Sequence, residues 1–437
     1  MISLFGLIGA LALLIYLTIR GMNLLIAAPL TAIIIALTGD LSLLPYGQSA
    51  PDNNFIQSYM SGFAGFISSW FFMFLLGALF GKLMEDSGCA DSLAQWIVSK
   101  IGMHNATVAV IAVCAILTYG GVSVFVVAFS AYSIALSLFK QANLPRRFIP
   151  AVMAFGSVTF TMTSAGSPEI QNWIPIKYLG TSPYAGWEVS IVVALFMALF
   201  GYWWLKRMMN RAIAAGEHFQ ARDTDPIITK KNLPSPIIAA LPILSVLVVT
   251  FLGHQVFAQY ALILALLTGC LTAWLLNIRF FSNLNLTVGA GTAGALMAIG
   301  NTAAVVGFGA VAKVSPAFQI AVDYLTAMPG NELIGAAVAV TAIAAMTGSS
   351  SGGQSIALPV LAPHYLDAGV DPEALHRVIA ISSGALDSLP HNGYVVTTIR
   401  SICGETHKDA YAPMAALTVV VPLIGTAIAV ALFLFTT

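Results

Sequence analysis

Thr118-Tyr-Gly-Gly-Val-Ser123 and Met346-Thr-Gly-Ser-Ser-Ser-Gly-Gly-Gln-Ser355 are two small, polar interruptions inside strongly apolar sequence. They share a register. An offset of 228 positions lays Gly120 on Gly348, and the same offset lays Phe80-Gly81 on Phe308-Gly309, Ser87 on Ser315, Gly102 on Gly330 and Ala109-Val110 on Ala337-Val338. A constant offset over such a stretch points to internal duplication. Unwound backbone survives in a bilayer only where protein covers it or it lines a wet cavity. Paired interruptions in duplicated apolar halves therefore predict a carrier with a binding site near the membrane midplane.

Composition supports the same class. The 437 residues are 58% hydrophobic and 8% charged, with a mean hydropathy of +0.88, too few ionisable groups to cover a soluble surface. Net charge is zero, and the only basic stretch is one loop, so nothing suggests nucleic-acid binding or surface-only membrane attachment. Cys89, Cys114, Cys270 and Cys403 lack CxxC or metal-ligand spacing and read as buried thiols, with no metal or cofactor expected. Residues 2–19 lack a basic leader and a small-residue cleavage site, so they read as a retained first helix.

Lys and Arg set the orientation. Lys206, Arg207, Arg211, Arg222, Lys230 and Lys231 mark residues 206–233 as a cytoplasmic linker, and Arg20 then marks the inner end of the first helix, which places the amino terminus outside. Residues 22–38 cross back, 39–59 form an external loop, 61–84 return, and 88–102 lie along the surface. Residues 103–140 carry Lys100 at one end and Lys140, Arg146 and Arg147 at the other, so both ends are cytoplasmic and the segment is a re-entrant hairpin turning at Tyr119-Gly120-Gly121. A helix from 147 breaks at Thr163–Asn172 and continues to about 181; 187–205 returns. The second half takes the same parse upside down: 235–253, 257–278 and 286–312 cross, 316–329 lies on the external face, 333–366 is a hairpin with its tip at Gly348–Ser355, about 373–402 is a helix broken at Ser382–Gly393, and 411–435 exits. The predicted fold is thus an all-α polytopic membrane protein of two inverted-topology repeats, 1–205 and 234–437, each with a re-entrant hairpin and a broken helix. Lys313 and Arg377 fall on the external side of this topology, against the positive-inside trend.

Helix ends inside a membrane supply amide donors and a positive pole for anions, and free carbonyls for cations. The predicted substrate contacts are Tyr119, Gly120, Gly121 and Ser123 at the first tip, and Thr163, Ser164, Gly166, Ser167, Gln171 and Asn172 at the first break. Ser349, Ser350, Ser351, Gly352, Gly353 and Gln354 follow at the second tip, and Ser383, Gly384 and Asn392 at the second break. No Lys or Arg lies in any break, so anion recognition would rest on backbone and hydroxyl donors, which favours a small, singly charged acid. A charge at the bilayer centre costs about 2.5–3.5 kcal/mol. Glu169, Asp387 and His391 are accordingly the proton-coupling candidates, set against the plainer readings of a solvent-facing Glu169 and a structural His391. His104, His218, His254, His364, His376 and His407 read as solvated rings at segment ends.

Two motif matches fail on context. Gly289-Ala-Gly-Thr-Ala-Gly294 fits GxGxxG but has no preceding strand or following acid, and helix packing explains it, as it does Gly77-x-x-x-Gly81. Gly348-Ser-Ser-Ser-Gly352 fits GxSxG without the strand-turn-helix that an intramembrane hydrolase would need, and no charged ring or filter repeat suggests a channel.

Gly77-Ala-Leu-Phe-Gly-Lys-Leu-Met-Glu-Asp-Ser-Gly88, Leu117-Thr-Tyr-Gly-Gly-Val-Ser-Val-Phe-Val126, Asn143-Leu-Pro-Arg-Arg147, Phe160-Thr-Met-Thr163 and Pro168-x-Ile-Gln-Asn172 together resemble the gluconate permease (GntP) family of bacterial organic-acid:proton symporters. The resemblance is firmest over residues 60–215. It implies an ion-transporter-superfamily fold with a dimerising scaffold and an elevator-like transport domain in the bacterial inner membrane. It also implies proton-coupled uptake of a hydroxy-carboxylate such as gluconate, a related sugar acid, glycerate or 3-hydroxybutyrate. Gluconate-type members carry a more acidic first tip than Thr-Tyr-Gly-Gly-Val-Ser, which shifts the expectation toward a smaller acid such as 3-hydroxybutyrate. The rival expectation is a sodium-coupled mono- or dicarboxylate carrier, with the Gly/Ser tips ligating Na⁺.

Overall fold

The computed structural model describes residues 2–44, 54–102, 105–122, 124–222, 232–257, 260–318, 320 and 331–436. Ser123, His104, most of 316–329, residues 45–53 of the 39–59 loop and residues 223–231 of the linker lie outside that set. Among the described residues every regular element is helical.

The first half runs α1 (Ile2–Ile19), α2 (Leu24–Thr38), α3 (Phe55–Asp86), α4 (Cys89–Ile101), α5 (Ala106–Tyr119), α6 (Val124–Gln141), α7 (Ile149–Ala154), α8 (Ile174–Leu179) and α9 (Trp187–Ala214). The second half runs α10 (Pro236–Phe257), α11 (Ala261–Leu276), α12 (Leu284–Lys313), α13 (Glu332–Thr347), α14 (Ser350–Asp367), α15 (Pro372–Ser383), α16 (Gly393–Val396), α17 (His407–Ala415) and α18 (Val421–Thr436). The order recurs: a helix pair, a long helix, a hairpin, a broken helix and a closing helix. Helices spanning a bilayer need about 20 apolar residues. Among the described residues, Phe55–Asp86, Trp187–Ala214, Pro236–Phe257, Leu284–Lys313 and His407–Phe435 meet that length and composition. Large apolar side chains such as Leu199, Ile237, Leu252 and Leu286 stand exposed on the outer faces, as lipid-facing positions do.

Positions paired by the 228-residue offset do equivalent work. Phe80 and Phe308 are both fully buried. Ser87 and Ser315 each end a long helix, and each hydroxyl donates to the carbonyl three residues back, Met84 and Ala312 respectively. Gly120 and Gly348 each follow the first helix of a hairpin. Between the halves, α3 and α12 pack closely. A Cβ on Gly62 would lie 2.9 Å from the Val306 carbonyl, one on Gly307 would lie 2.9 Å from the Tyr59 ring, and the Tyr59 hydroxyl donates to Ala304 O at 3.0 Å. Gly291, centre of the GxGxxG match, sits inside α12 with its missing Cβ facing the Leu79 backbone at 3.1 Å. Packing explains that glycine; Gly289 and Gly294 have no such neighbour.

The second tip is shorter than the sequence pattern suggests. Only Gly348 and Ser349 are unwound, because the Ser349 hydroxyl caps α14 by accepting from the Gly352 amide at 3.1 Å. Ser350 to Gln354 are therefore the first turns of a helix rather than a loop. Asn392 likewise caps α16 by accepting from Val395 N, ending the break at 384–392. In the first half α7 opens with Pro150 in its first turn, widens into a π-helical turn at Phe155–Thr159, and gives way to irregular backbone before a short 3-10 turn at Ile170–Asn172.

Candidate substrate-binding site

A cavity of about 340 Å³ lies where both tips and both breaks meet. Gly121 comes from the first tip; Glu169 and Gln171 come from the first break. Ser349, Ser350 and Ser351 come from the second tip, and Asp387, His391 and Asn392 from the second break. All three nominated ionisable groups thus face one space. Residues from α1, α3, α11 and α12 complete the wall, and no Lys or Arg is among its lining residues.

The remaining nominated residues hold this wall in place. Tyr119 OH donates to Ala165 O at 2.7 Å, joining the first hairpin to the first break. Gln354 donates from Nε2 to Gln171 O at 3.0 Å and to Ser383 Oγ at 2.8 Å, which ties the second hairpin to the first break and to α15. Asn392 donates from Nδ2 to Gly348 O at 2.9 Å, locking the second break to the second tip. Asn172 donates to Ser167 O and Pro183 O. Ser164 spends its hydroxyl on Phe160 O, while Gly166 accommodates Tyr184 and Tyr119 at close range. Gly384 lies against Thr163, and Gly353 lets α14 approach Ala344 of α13, where a Cβ would stand 2.6 Å from its Cα. Gly120 fits against Ile243.

Several cavity groups lack a full set of hydrogen-bond partners within the protein: Gln171 Oε1 and Asn301 Oδ1 have none, and Ser350 Oγ faces only the Asp387 carboxyl. An unsatisfied buried polar group costs about 1–3 kcal/mol. Such a cluster belongs in a site that takes a polar ligand. Ser350, at the amino-terminal end of α14, turns its amide and hydroxyl toward the Asp387 carboxyl, which also accepts from Ser388 Oγ at 2.9 Å. His391 makes no hydrogen bond to Ser350, so no Ser-His-Asp relay is assembled around the GxSxG match.

The structure corrects two readings of the sequence. Arg377 is not an exposed external cation but is fully buried in α15. Its guanidinium donates to Thr163 O at 2.7 Å, Asn172 Oδ1 at 2.8 Å, Ala185 O at 2.9 Å and Pro183 O at 3.2 Å. The first break thus does hold an arginine, supplied from the other half of the chain. His376 is likewise fully buried rather than solvated, with Nδ1 2.6 Å from Thr181 Oγ1. Both follow from the amphipathic α15 being enclosed on every side. Asn301 escaped notice altogether; its signal was an amide in the middle of an apolar helix.

A family profile described as CitMHS, Citrate transporter, matches residues 13–301, well over half of the chain. The chain belongs to the CitMHS citrate transporter family. An uncharacterized transporter, YxjC of Bacillus subtilis (strain 168), is 33% identical over 94% of this chain and 94% of its own length. An uncharacterized transporter of Haemophilus influenzae is 26% identical over 75% of each. Among solved structures, the Alcanivorax borkumensis YdaH transporter, described as having an unusual topology, covers 99% of both chains with a TM-score of 0.56 and 14% identity. That last likeness carries the fold alone. This CitMHS member is an all-α polytopic membrane protein and a secondary transporter, and its relatives are transporters rather than enzymes.

Proposed function

We propose that the chain is a proton-coupled symporter for a small organic hydroxy-carboxylate. The class includes the acids suggested by the gluconate permease resemblance, 3-hydroxybutyrate and gluconate, and the citrate named by the family. One observation carries the reading: the cavity shared by all four interruptions is walled by two carboxylic acids, Glu169 and Asp387, and by unpartnered neutral polar atoms. A substrate carboxylate and an ionised Asp387 would compete for the positive end of α14 at Ser350. A proton on Asp387 removes that competition, so anion and proton load together. Glu169 and His391 extend the same exchange across the cavity.

With two acids and no basic residue on its wall, the cavity suits an anion of one net charge. 3-Hydroxybutyrate and gluconate meet that condition as they are. Citrate meets it when two of its three charges are masked by protons or by a divalent cation carried as cargo. The Lys/Arg distribution supports an external amino terminus, a cytoplasmic 206–233 linker and inverted repeats at 1–205 and 234–437 in the bacterial inner membrane. A homodimer follows from the resemblance.

Uptake of labelled 3-hydroxybutyrate, gluconate and citrate, the last with and without Mg²⁺, into proteoliposomes under separate proton and sodium gradients tests the proposal. Saturable uptake driven by the proton gradient is expected, and uptake driven by sodium alone would establish the rival coupling. Asp387→Asn is expected to abolish proton-driven uptake while leaving counterflow exchange. Unchanged proton-driven uptake in that variant would remove Asp387 from the coupling role.

A further inference from the structure

One face of α9 carries large apolar side chains that no other described part of the protein covers. Val192, Leu195, Leu199 and Trp203 recur at intervals of three or four and all stand exposed, Leu199 by 71%. Residues so spaced share one side of a helix. The next positions along that side are Lys206, Arg207, Asn210 and Arg211, all exposed, and with Trp203 and Ala214 they line a surface groove of about 430 Å³. The Arg207 guanidinium lies 5.7 Å from the centre of the Trp203 ring, within cation–π range. Trp203 in turn stacks on Phe200 at 5.6 Å, and Phe200 on Phe196 at 5.4 Å. Stacked rings thus fix the point at which the apolar face turns basic.

Three cations therefore meet at this groove, and the protein supplies them with no acid. Lys206, Arg207 and Arg211 make no ion pair among the described residues. The acid that follows α9, Glu217, is held by Arg147 at 2.6 Å, and Arg222 beyond it is held by Glu405 at 2.8 Å. The negative pole of the helix acts on its last turn, which contains Arg211 but neither Lys206 nor Arg207. We propose that the groove binds the phosphate of an anionic phospholipid, whose acyl chains lie along Leu199, Leu195 and Val192. Tryptophan favours the boundary between hydrocarbon and headgroups, so Trp203 sets the depth of the lipid. The phosphate oxygens accept from the two guanidinium groups and the ammonium in charge-assisted hydrogen bonds, and the Asn210 amide adds a neutral donor. No residue of this groove lines the substrate cavity. On its covered side, however, α9 supports the first break: Gly201 fits against the ring of Phe155 in the π-helical turn, and a Cβ on Gly425 of α18 would stand 2.6 Å from Met197 Sδ. A lipid held on α9 thus stabilises the element against which the broken helix rests.

The full chain in dodecyl maltoside micelles is titrated with dioleoyl phosphatidylglycerol, with dioleoyl phosphatidylcholine or with inorganic phosphate. Native mass spectrometry counts the lipid retained, and the melting temperature is followed alongside. The wild-type protein is expected to keep phosphatidylglycerol after the micelle is stripped and to melt at a higher temperature with it, while phosphatidylcholine and inorganic phosphate do neither at the same concentrations. A basic residue at an anionic headgroup contributes about fivefold in affinity, so Lys206→Gln, Arg207→Gln and Arg211→Gln are each expected to weaken retention about fivefold, and the triple variant about a hundredfold. Arg279→Gln, at an exposed cation elsewhere, should leave retention unchanged. The melting curve without lipid checks that each variant folds; should the triple variant not fold, the wild-type comparison of the two lipids decides. Equal retention of the two lipids, equal retention by a folded triple variant, or the same thermal gain from inorganic phosphate overturns the inference. So does a lipid-free dimer that the triple variant splits, which would assign this face to a second copy of the chain.

Discussion

Gly348 is the residue on which the second tip turns. Its backbone is left-handed, with φ +55°, and a Cβ there would stand 2.6 Å from the His391 ring. The left-handed region alone costs an L-residue about 1–2 kcal/mol. Gly348→Ala is therefore expected to lower the melting temperature and to push His391 into the cavity, with weaker protection by 3-hydroxybutyrate in a thermal-shift assay; equal protection would mean that His391 yields at no cost to the site. Asn301 presents an unpartnered Oδ1 to the same space. One neutral hydrogen bond is worth about 0.5–1.5 kcal/mol, so Asn301→Ala is expected to raise the KM for uptake about three- to ten-fold with little change in stability. At this scale the acids were legible in the sequence, since carboxyl groups within apolar runs are rare enough to stand out. Arg377 was not, because four of its partners come from residues 163–185, some two hundred positions away in the chain. Counting charges along a sequence cannot tell a buried guanidinium from a solvated one.

The two hairpins show how elements rather than single side chains shape the site. Their apolar arms and flanking charges were readable in advance, and α5/α6 and α13/α14 fall where the pattern put them. What the pattern overstated was the length of unwound backbone at the second tip, because a run of Ser and Gly looks like a loop until one serine caps the helix that follows. Ser349 does so, and Gly353 then seats α14 against α13. Ser349→Ala removes the cap at a cost of about 1 kcal/mol. It should fray Ser350–Gly352 first, seen as faster amide exchange confined to those positions. Exchange spread through both arms would mean that the hairpin folds as one unit and that the cap does not define its tip. The internal duplication, visible as a repeated register, accounts for why equivalent serines and phenylalanines recur in both halves; the caps that set each boundary differ between the halves, and the register carries no information about them.

At the scale of the molecule, the chain after α9 straps the two halves together. Arg147, just before α7, forms a forked pair with Glu217 at 2.6 and 2.8 Å. Arg222 reaches the other half, donating to Gly404 O at 2.6 Å and to Glu405 Oε1 at 2.8 Å, and Glu405 also pairs with Arg146 at 3.2 Å. Hydrogen bonding from Arg147 holds the Glu217 carboxyl below its ordinary value of 4.5. A depressed acid contributes stability above its unfolded value, and that contribution is lost as pH falls through the lower folded value. The strap is therefore intact at neutral pH and loosens only in acid below 4.5. Because Arg147 and Glu217 are about one third exposed, the pair is screened and worth roughly 0.2–1 kcal/mol, enough to hold a linker without rigidifying the whole protein. A spin label at Gln220→Cys should thus gain mobility as pH drops below that value or as salt is raised, and Glu217→Gln should show the mobile spectrum at neutral pH. A spectrum unchanged by Glu217→Gln would assign the restraint instead to the Arg222–Glu405 pair and to the Phe219 amide, which donates to Asn143 Oδ1 at 3.2 Å.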